Sequence, residues 1–334
     1  MRVTTEDSIS AVIVIFYPDD RFFEMLESIG KQVDNIWIVD NGSTGLSRDK
    51  LDGIVNDTQT SLNFISNDEN LGLATAQNQG IKEAINLGST WILLLDQDSI
   101  PANDMIEKMV NAAEGYEDKE CLGMITPRHE DDDGTPSIPS YSAKYGFKLH
   151  RYFMKVTDVD DTLAFGLASG SLIPSKVLQK VGLMRDDFWI DYIDYDFSFR
   201  LRKLGYKIIG VGAASLRHRL GESFNKHIGN IKLTYRAHPA FRRYTIYRNR
   251  IRVIREYGVE FPNFLIFEIL SISKDFMKLV FIEDNKKKKF NAILSGIVDG
   301  IIGRGGLRKF LRVELFILIL GTYFIKEPQN SGWN

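Results

Sequence analysis

The chain has 334 residues, 44% of them hydrophobic and 26% charged, so it can enclose one large or two modest cores with a charge content ordinary for a globular protein. Its single cysteine, Cys121, excludes a disulfide framework and fits a reducing cytosol. The formal charge of −2 conceals an asymmetry. Residues 226–334 hold 20 Lys and Arg against 9 Asp and Glu, net +11, and the totals of 42 and 44 leave 22 against 35, net −13, for residues 1–225. Two regions are expected, an acidic one over 1–225 and a basic one over 226–334.

The start, MRVTTEDSIS, is polar and acidic, and the apolar run that follows it (9–16) is too short to span a membrane, so no secretion signal is expected. That run, ISAVIVIF, predicts a strand, and Asp20 can cap a helix reaching Gly30. NIWIVD (35–40) predicts a second strand, a helix is expected around 47–56, and LNFIS (62–66) predicts a third strand. Leu71, Ala74, Ile81, Ala84 and Ile85 recur at helical spacing over 70–88, STWILLLD (89–96) reads as a fourth strand, and a helix follows Pro101. Near-continuous apolar strands alternating with helices argue a parallel sheet covered on both faces. Ligands of such sheets bind outside the carboxyl ends of the strands. Three of those ends carry polar chemistry: Tyr17-Pro18-Asp19, Asp40-Asn41-Gly42 and Asp96-Gln97-Asp98. Residues 128–161, with RHEDDDGTPSIPS, read as an exposed excursion, and from about residue 226 the chain turns basic, aromatic and helical.

Asp96 and Asp98 stand two residues apart at the end of a buried strand. Paired hard oxygen ligands suit Mg2+ or Mn2+, and Mg2+ prefers to share a site with substrate phosphates. A polar turn in which Asp98 and Ser99 cap a following helix is the structural alternative. Farther on, Asp191, Asp194 and Asp196 crowd one aromatic segment, FWIDYIDYDFSFRLRKLGY (188–206). A partly desolvated carboxylate there is a candidate general base. Asp196 and Arg200 form an i,i+4 helical pair that explains both structurally, and Asp191 can serve as an N-cap. His218, after the apolar run IIGVGAAS, is a third candidate for a site role, although a lone histidine is more often a surface or core residue.

The order of these motifs resembles glycosyltransferase family 2, the inverting GT-A enzymes, and within it the bacterial rhamnosyltransferase branch. The resemblance rests on VIVIFYPD, IWIVDNGST, NLGLATAQNQGI, LLLDQDS, DDFWIDYIDYDFSFR, LRHRLGE and HPAFRRYTIYRNRIRVIREYG, over roughly residues 9–310. It implies a GT-A fold with a mainly parallel central sheet and a C-terminal helical region. It places Tyr17, Asp40, Asn70, Gly72, Asp96 and Gln97 on a nucleotide-sugar donor, with Asp40 at the base and Asp96 near the ribose. Asp98 and His218 would hold the cation, and Asp194 would be the base. The family's usual acid before that Asp is here Ile193, which leaves the base open between Asp194 and Asp191. The implied donor is dTDP-L-rhamnose, and the implied acceptor is a saccharide, lipid-linked or growing on a surface polysaccharide.

A nucleotidyltransferase would also use carboxylates and a cation, but it wants a Gly-rich basic phosphate loop that VIVIFYPDD lacks. A degenerate, non-catalytic sugar-binding scaffold fits poorly with Asp40, Asp96, Asp98, Asp194 and His218 all present. The Arg-aromatic stretch 236–255 has a nucleic-acid composition but no recognised module, so no nucleic-acid partner is expected. Lys286 to Lys289 and the apolar run 310–326 suit either a membrane surface or a helical subdomain that packs or oligomerises. The expected location is the cytoplasm, with peripheral contact at the inner face of the plasma membrane.

Overall fold

The computed structural model describes residues 7–43, 60–144, 146–218, 223–228, 231–236 and 238–306. The helix expected around 47–56 and the apolar run 310–326 lie outside them. The chain begins with β1 (Ile9–Ile15), α1 (Asp20–Ile29), β2 (Asn35–Asp40), β3 (Ser61–Ser66), α2 (Leu73–Asn86), β4 (Trp91–Asp96), β5 (Ser99–Pro101) and α3 (Met105–Glu114). The cap of α1 is Asp19, whose carboxylate accepts from the Arg21 N–H, one residue earlier than the cap expected at Asp20.

Next come β6 (Leu122–Glu130), β7 (Ser140–Ser142), β8 (His150–Tyr152), β9 (Val159–Asp160), β10 (Leu172–Pro174), α4 (Ser175–Val181), α5 (Ile193–Lys203) and β11 (Lys207–His218). The excursion expected over 128–161 is therefore more ordered than its composition suggests. Its start continues β6, β7 pairs with β8, and β9 pairs with β11. Residues past 226 are not helical at once: β12 (Ser223–Ile228) and β13 (Ile231–Arg236) pair antiparallel before α6 (Ala240–Tyr257), α7 (Pro262–Phe281) and α8 (Lys286–Ile301).

Among the described residues one sheet runs β3-β2-β1-β4-β10-β6-β11-β5, with β9 added at β11. β3, β2, β1 and β4 are parallel, as are β6 and β11, whereas β10 and β5 run against their neighbours. Alternation along β1 divides the core. Ile9, Ala11, Ile13 and Ile15 face the layer holding Phe22 and Met25 of α1 and Met105 and Met109 of α3. Val12 faces the opposite layer with Ala74 and Ile81 of α2, Phe197 of α5 and Val253 of α6. Both faces of the parallel part are thus covered, which explains why WILLLD is apolar almost throughout.

Candidate active site

Strand register sets the rim. Ile15 of β1 lies opposite Asp40 of β2, and Val14 lies opposite Asp96 of β4, so both acids flank the same strand end. Asp40 is buried, and its Oδ1 accepts from the Ser43 N–H at 2.8 Å. Tyr17 stands beside it with φ +47°, and its N–H donates to Ser43 Oγ at 2.8 Å. Gln97 turns back onto β1: Oε1 accepts from the Phe16 N–H at 2.7 Å, and Nε2 donates to the Phe16 carbonyl at 3.3 Å. Both ends of that amide fasten the Asp96–Asp98 turn to β1.

Beyond the turn, β5 pairs antiparallel with β11, placing Ser99 opposite His218. That non-local register brings His218 to the two carboxylates. Ligand atoms of Asp96, Asp98 and His218 all lie within 4.8 Å of one another, and His218 Nδ1 is 3.8 Å from Asp98 Oδ1. The Ser99 hydroxyl is 2.7 Å from His218 Nδ1 and 2.8 Å from Ser169 Oγ, which accepts from the Asp96 N–H at 3.1 Å. Two serines therefore fix the orientation of the histidine and the turn, as outer partners of a cation site do. Burial pushes the Asp96 carboxyl up, the charge of Asp98 adds to it, and His218 and Arg242 pull the other way. Two carboxylates and an imidazole, with one carboxylate destabilised as an anion, are a donor set that fits a hard divalent cation.

Asp194 occupies the first turn of α5. Burial first, and then the charge of Asp96, push its carboxyl up to about 6, against N–H groups of Asp194 itself and of Ala168. Its neighbours have other partners. Asp196 is fully buried and bonds Arg185, Arg200 and Tyr257 at 2.9–3.1 Å, which matches the structural reading of the Asp196–Arg200 pair. Asp191 forms a salt bridge with Arg242 and accepts from Thr245 Oγ1 at 2.8 Å.

The loop that delivers Asp191 and Asp194 is strained. Trp189, Asp191 and Tyr192 all have φ near the left-handed region, at +66°, +66° and +65°. Helix α6 restrains them. The buried Asn249 Nδ2 lies 3.0, 2.9 and 2.8 Å from the carbonyls of Phe188, Ile190 and Asp191, and Arg248 donates to Phe188 O at 2.6 Å. The Tyr192 hydroxyl donates to Glu268 of α7 at 3.0 Å and accepts from Arg250 at 2.6 Å. The arginines of the YRNRIR stretch thus face inward: Arg248 is fully buried, and Arg250 and Arg252 are nearly so.

The other two residues expected on a donor have structural partners. Asn70 Oδ1 accepts from Asn41 Nδ2 at 3.1 Å and from the Gly72 N–H at 2.9 Å. Gly72, at φ +92°, lies against Trp189, where an added Cβ would stand 2.5 Å from the indole ring. Sequence reasoning missed Ser169, Arg242 and Asn249. Arg242, Thr245 and Asn249 are spaced i, i+3, i+7 on α6, so one polar helical face was there to be found.

The family described as Glycosyl transferase family 2 matches residues 10–181. A curated relative, dTDP-rhamnosyl transferase RfbF of Shigella flexneri, is 27% identical over 307 residues, covering 89% of this chain and 98% of its own. Among solved structures, S. aureus TarS 1-349 aligns with a TM-score of 0.58 at 12% identity, covering 88% of this chain and 81% of that one. GalNAc-T7 with UDP, GalNAc and Mn2+ aligns with a TM-score of 0.54 at 15% identity, covering 74% of this chain and 47% of that one. The matched residues run from the second residue of β1 to the end of α4, including the rim that carries Asp40, Asp96 and Asp98. The chain is a member of glycosyltransferase family 2, built on the GT-A fold.

Proposed function

We propose that this glycosyltransferase moves L-rhamnose from dTDP-L-rhamnose to a saccharide acceptor, lipid-linked or part of a growing surface polysaccharide, with inversion at the anomeric carbon. The observation that carries the reading is the convergence of Asp96, Asp98 and His218 at the strand rim, with Asp194 close enough to feel the charge of Asp96. The rhamnosyl donor is supported by the likeness to the Shigella dTDP-rhamnosyl transferase.

Asp98 and His218, with Asp96 beside them, would hold Mg2+ or Mn2+. When bound, the cation supplies positive charge to the departing diphosphate. Asp194 accepts the proton of the acceptor hydroxyl as that oxygen bonds to the anomeric carbon. The bond from that carbon to the diphosphate breaks, and its electron pair leaves with dTDP. Asp191, paired with Arg242 and hydrogen-bonded by Thr245, holds the loop in place and is the weaker candidate for the base. Tyr17 and Asp40 flank the nucleotide end of the rim, and Asn70, Gly72 and Gln97 shape its walls through Asn41, Trp189 and Phe16.

A thermal-shift screen of nucleotide sugars with Mn2+ present tests the donor directly. Selective stabilisation by dTDP-L-rhamnose is expected. Stabilisation by a uridine- or guanosine-linked sugar and none by dTDP-L-rhamnose would refute it.

A further inference from the structure

Helices α7 and α8 turn apolar stripes outward. On α7, Ile266, Ile269, Leu270, Phe276, Met277 and Phe281 are exposed, and at helical spacing they fall in one arc of about 140°. On α8, Phe290, Leu294, Val298 and Ile301 form a second exposed stripe. Over residues 262–306 most acids turn inward and most lysines outward, with Asp275 half-buried and Lys289 buried among the exceptions. Glu268, Glu283 and Asp299 are buried, engaged by Arg250, by Arg243 and Lys289, and by Tyr244. Lys274, Lys286, Lys287 and Lys288 are exposed, and Asp284 is the one exposed acid over residues 262–306.

A face that combines outward apolar stripes with outward lysines and inward acids complements an anionic bilayer. Apolar side chains enter the boundary between headgroups and acyl chains while lysine stems extend to the phosphates. No helix among the described residues is long and apolar enough to cross a membrane, so the helices would lie on the surface. We propose that α7 and α8 are a docking surface for membranes rich in anionic phospholipid. A second copy of the chain suits the face less well, because a two-fold contact would bring like lysines together. The inner side of α7 holds Tyr192 through Glu268, so a docked molecule keeps that loop on the lipid-facing helix. This last link, to a lipid-linked acceptor, rests on the reading above.

The test is co-sedimentation of the full-length chain with phosphatidylcholine vesicles, with and without phosphatidylglycerol, and without substrate. Binding is expected only with phosphatidylglycerol and should weaken with salt. The combined change Lys286→Gln, Lys287→Gln and Lys288→Gln should weaken it on the order of 100-fold. The change Phe276→Ser, Met277→Ser and Phe281→Ser should abolish it, and an unchanged unfolding midpoint for either variant shows that it is folded. Equal binding by wild type and both variants overturns the proposal. So does a wild type that ignores the vesicles but scatters light as a dimer split by the Phe276 and Phe281 changes. Vesicle binding without any turnover of dTDP-L-rhamnose would sink the transfer reading and leave the docking surface standing.

Discussion

Arg242 of α6 grips the carboxylate of Asp191, joining the basic C-terminal helices to the loop that leads into α5. Thr245 adds a hydroxyl to the same carboxylate. With its oxygens engaged by a guanidinium and a hydroxyl, that carboxylate is tied to α6 rather than left open to an acceptor. Asp194, three residues on, is the acid that burial has made more basic. Replacing Asp194 with Asn should lower kcat by about 10²–10⁴, with dTDP affinity nearly unchanged by calorimetry. Replacing Asp191 with Asn should cost far less in kcat while loosening the loop. If Asp191→Asn alone abolishes turnover, the proton goes elsewhere than to Asp194.

The pH profile should carry the same signature. The Asp194 carboxyl is pushed up to about 6 and must be ionised to accept a proton. Activity is therefore present above that value and lost as pH falls through it, by about tenfold per unit. Saturating cation, which offsets the field of Asp96, should move the midpoint lower. Asp194→Asn should remove the acid limb from whatever turnover is left.

Cation dependence follows from the Asp96, Asp98 and His218 cluster. Excess chelator should abolish transfer, and Mn2+ or Mg2+ should restore it. Ser99→Ala, which removes the hydroxyl 2.7 Å from His218 Nδ1, should raise the cation concentration needed for half activity by about 10–100-fold while leaving saturated kcat close to wild type. Full activity in chelator would exclude the cation role.

Asn249 holds three carbonyls of a strained loop. Asn249→Leu should destabilise the fold by about 2–4 kcal/mol, since each lost bond contributes about 0.5–1.5 kcal/mol. Chemical denaturation measures it. Activity measured on the folded fraction should still fall, because the loop carries Asp194 into α5. A stable variant with normal activity would show that the loop keeps its shape unaided.

Gly72→Ala tests the wall of the site. The added methyl would meet the Trp189 ring at 2.5 Å at a residue already at φ +92°. A cost of about 1–3 kcal/mol is expected, together with a raised KM for donor and quenching or shift of the Trp189 emission. Unaltered emission and KM would mean that Trp189 has room to move.

How much of this was legible in the sequence depended on whether a contact was local. The strands ending at Asp40 and Asp96 announced themselves as apolar runs closed by acids, and the Asp196–Arg200 pair followed from helical spacing alone. His218 could be picked out as a candidate from the sequence but given a place beside Asp98 only through the family resemblance, because that approach depends on a strand register spanning more than a hundred residues. The excursion over 128–161 misled because its acidic, Pro-rich composition hides short strands, two that pair with each other and one that borrows β11 as its partner. The arginines of α6 carried a nucleic-acid-like composition whose structural use the sequence did not reveal. Charge suggests solvent, yet Arg248 and Arg250 are buried against backbone carbonyls, a tyrosine and paired acids.

The hold of Asn249 and Arg248 on the loop has a consequence for recombination. Chimeras that join the sheet of one such transferase to the terminal helices of another, cut near residue 225, would separate a strained turn from the side chains that keep it bent. A crossover between β10 and the turn, which lets residues 186–192 travel with α6, keeps the two halves of that contract in one parent. A swap of the helices alone would leave that turn without the side chains that hold it.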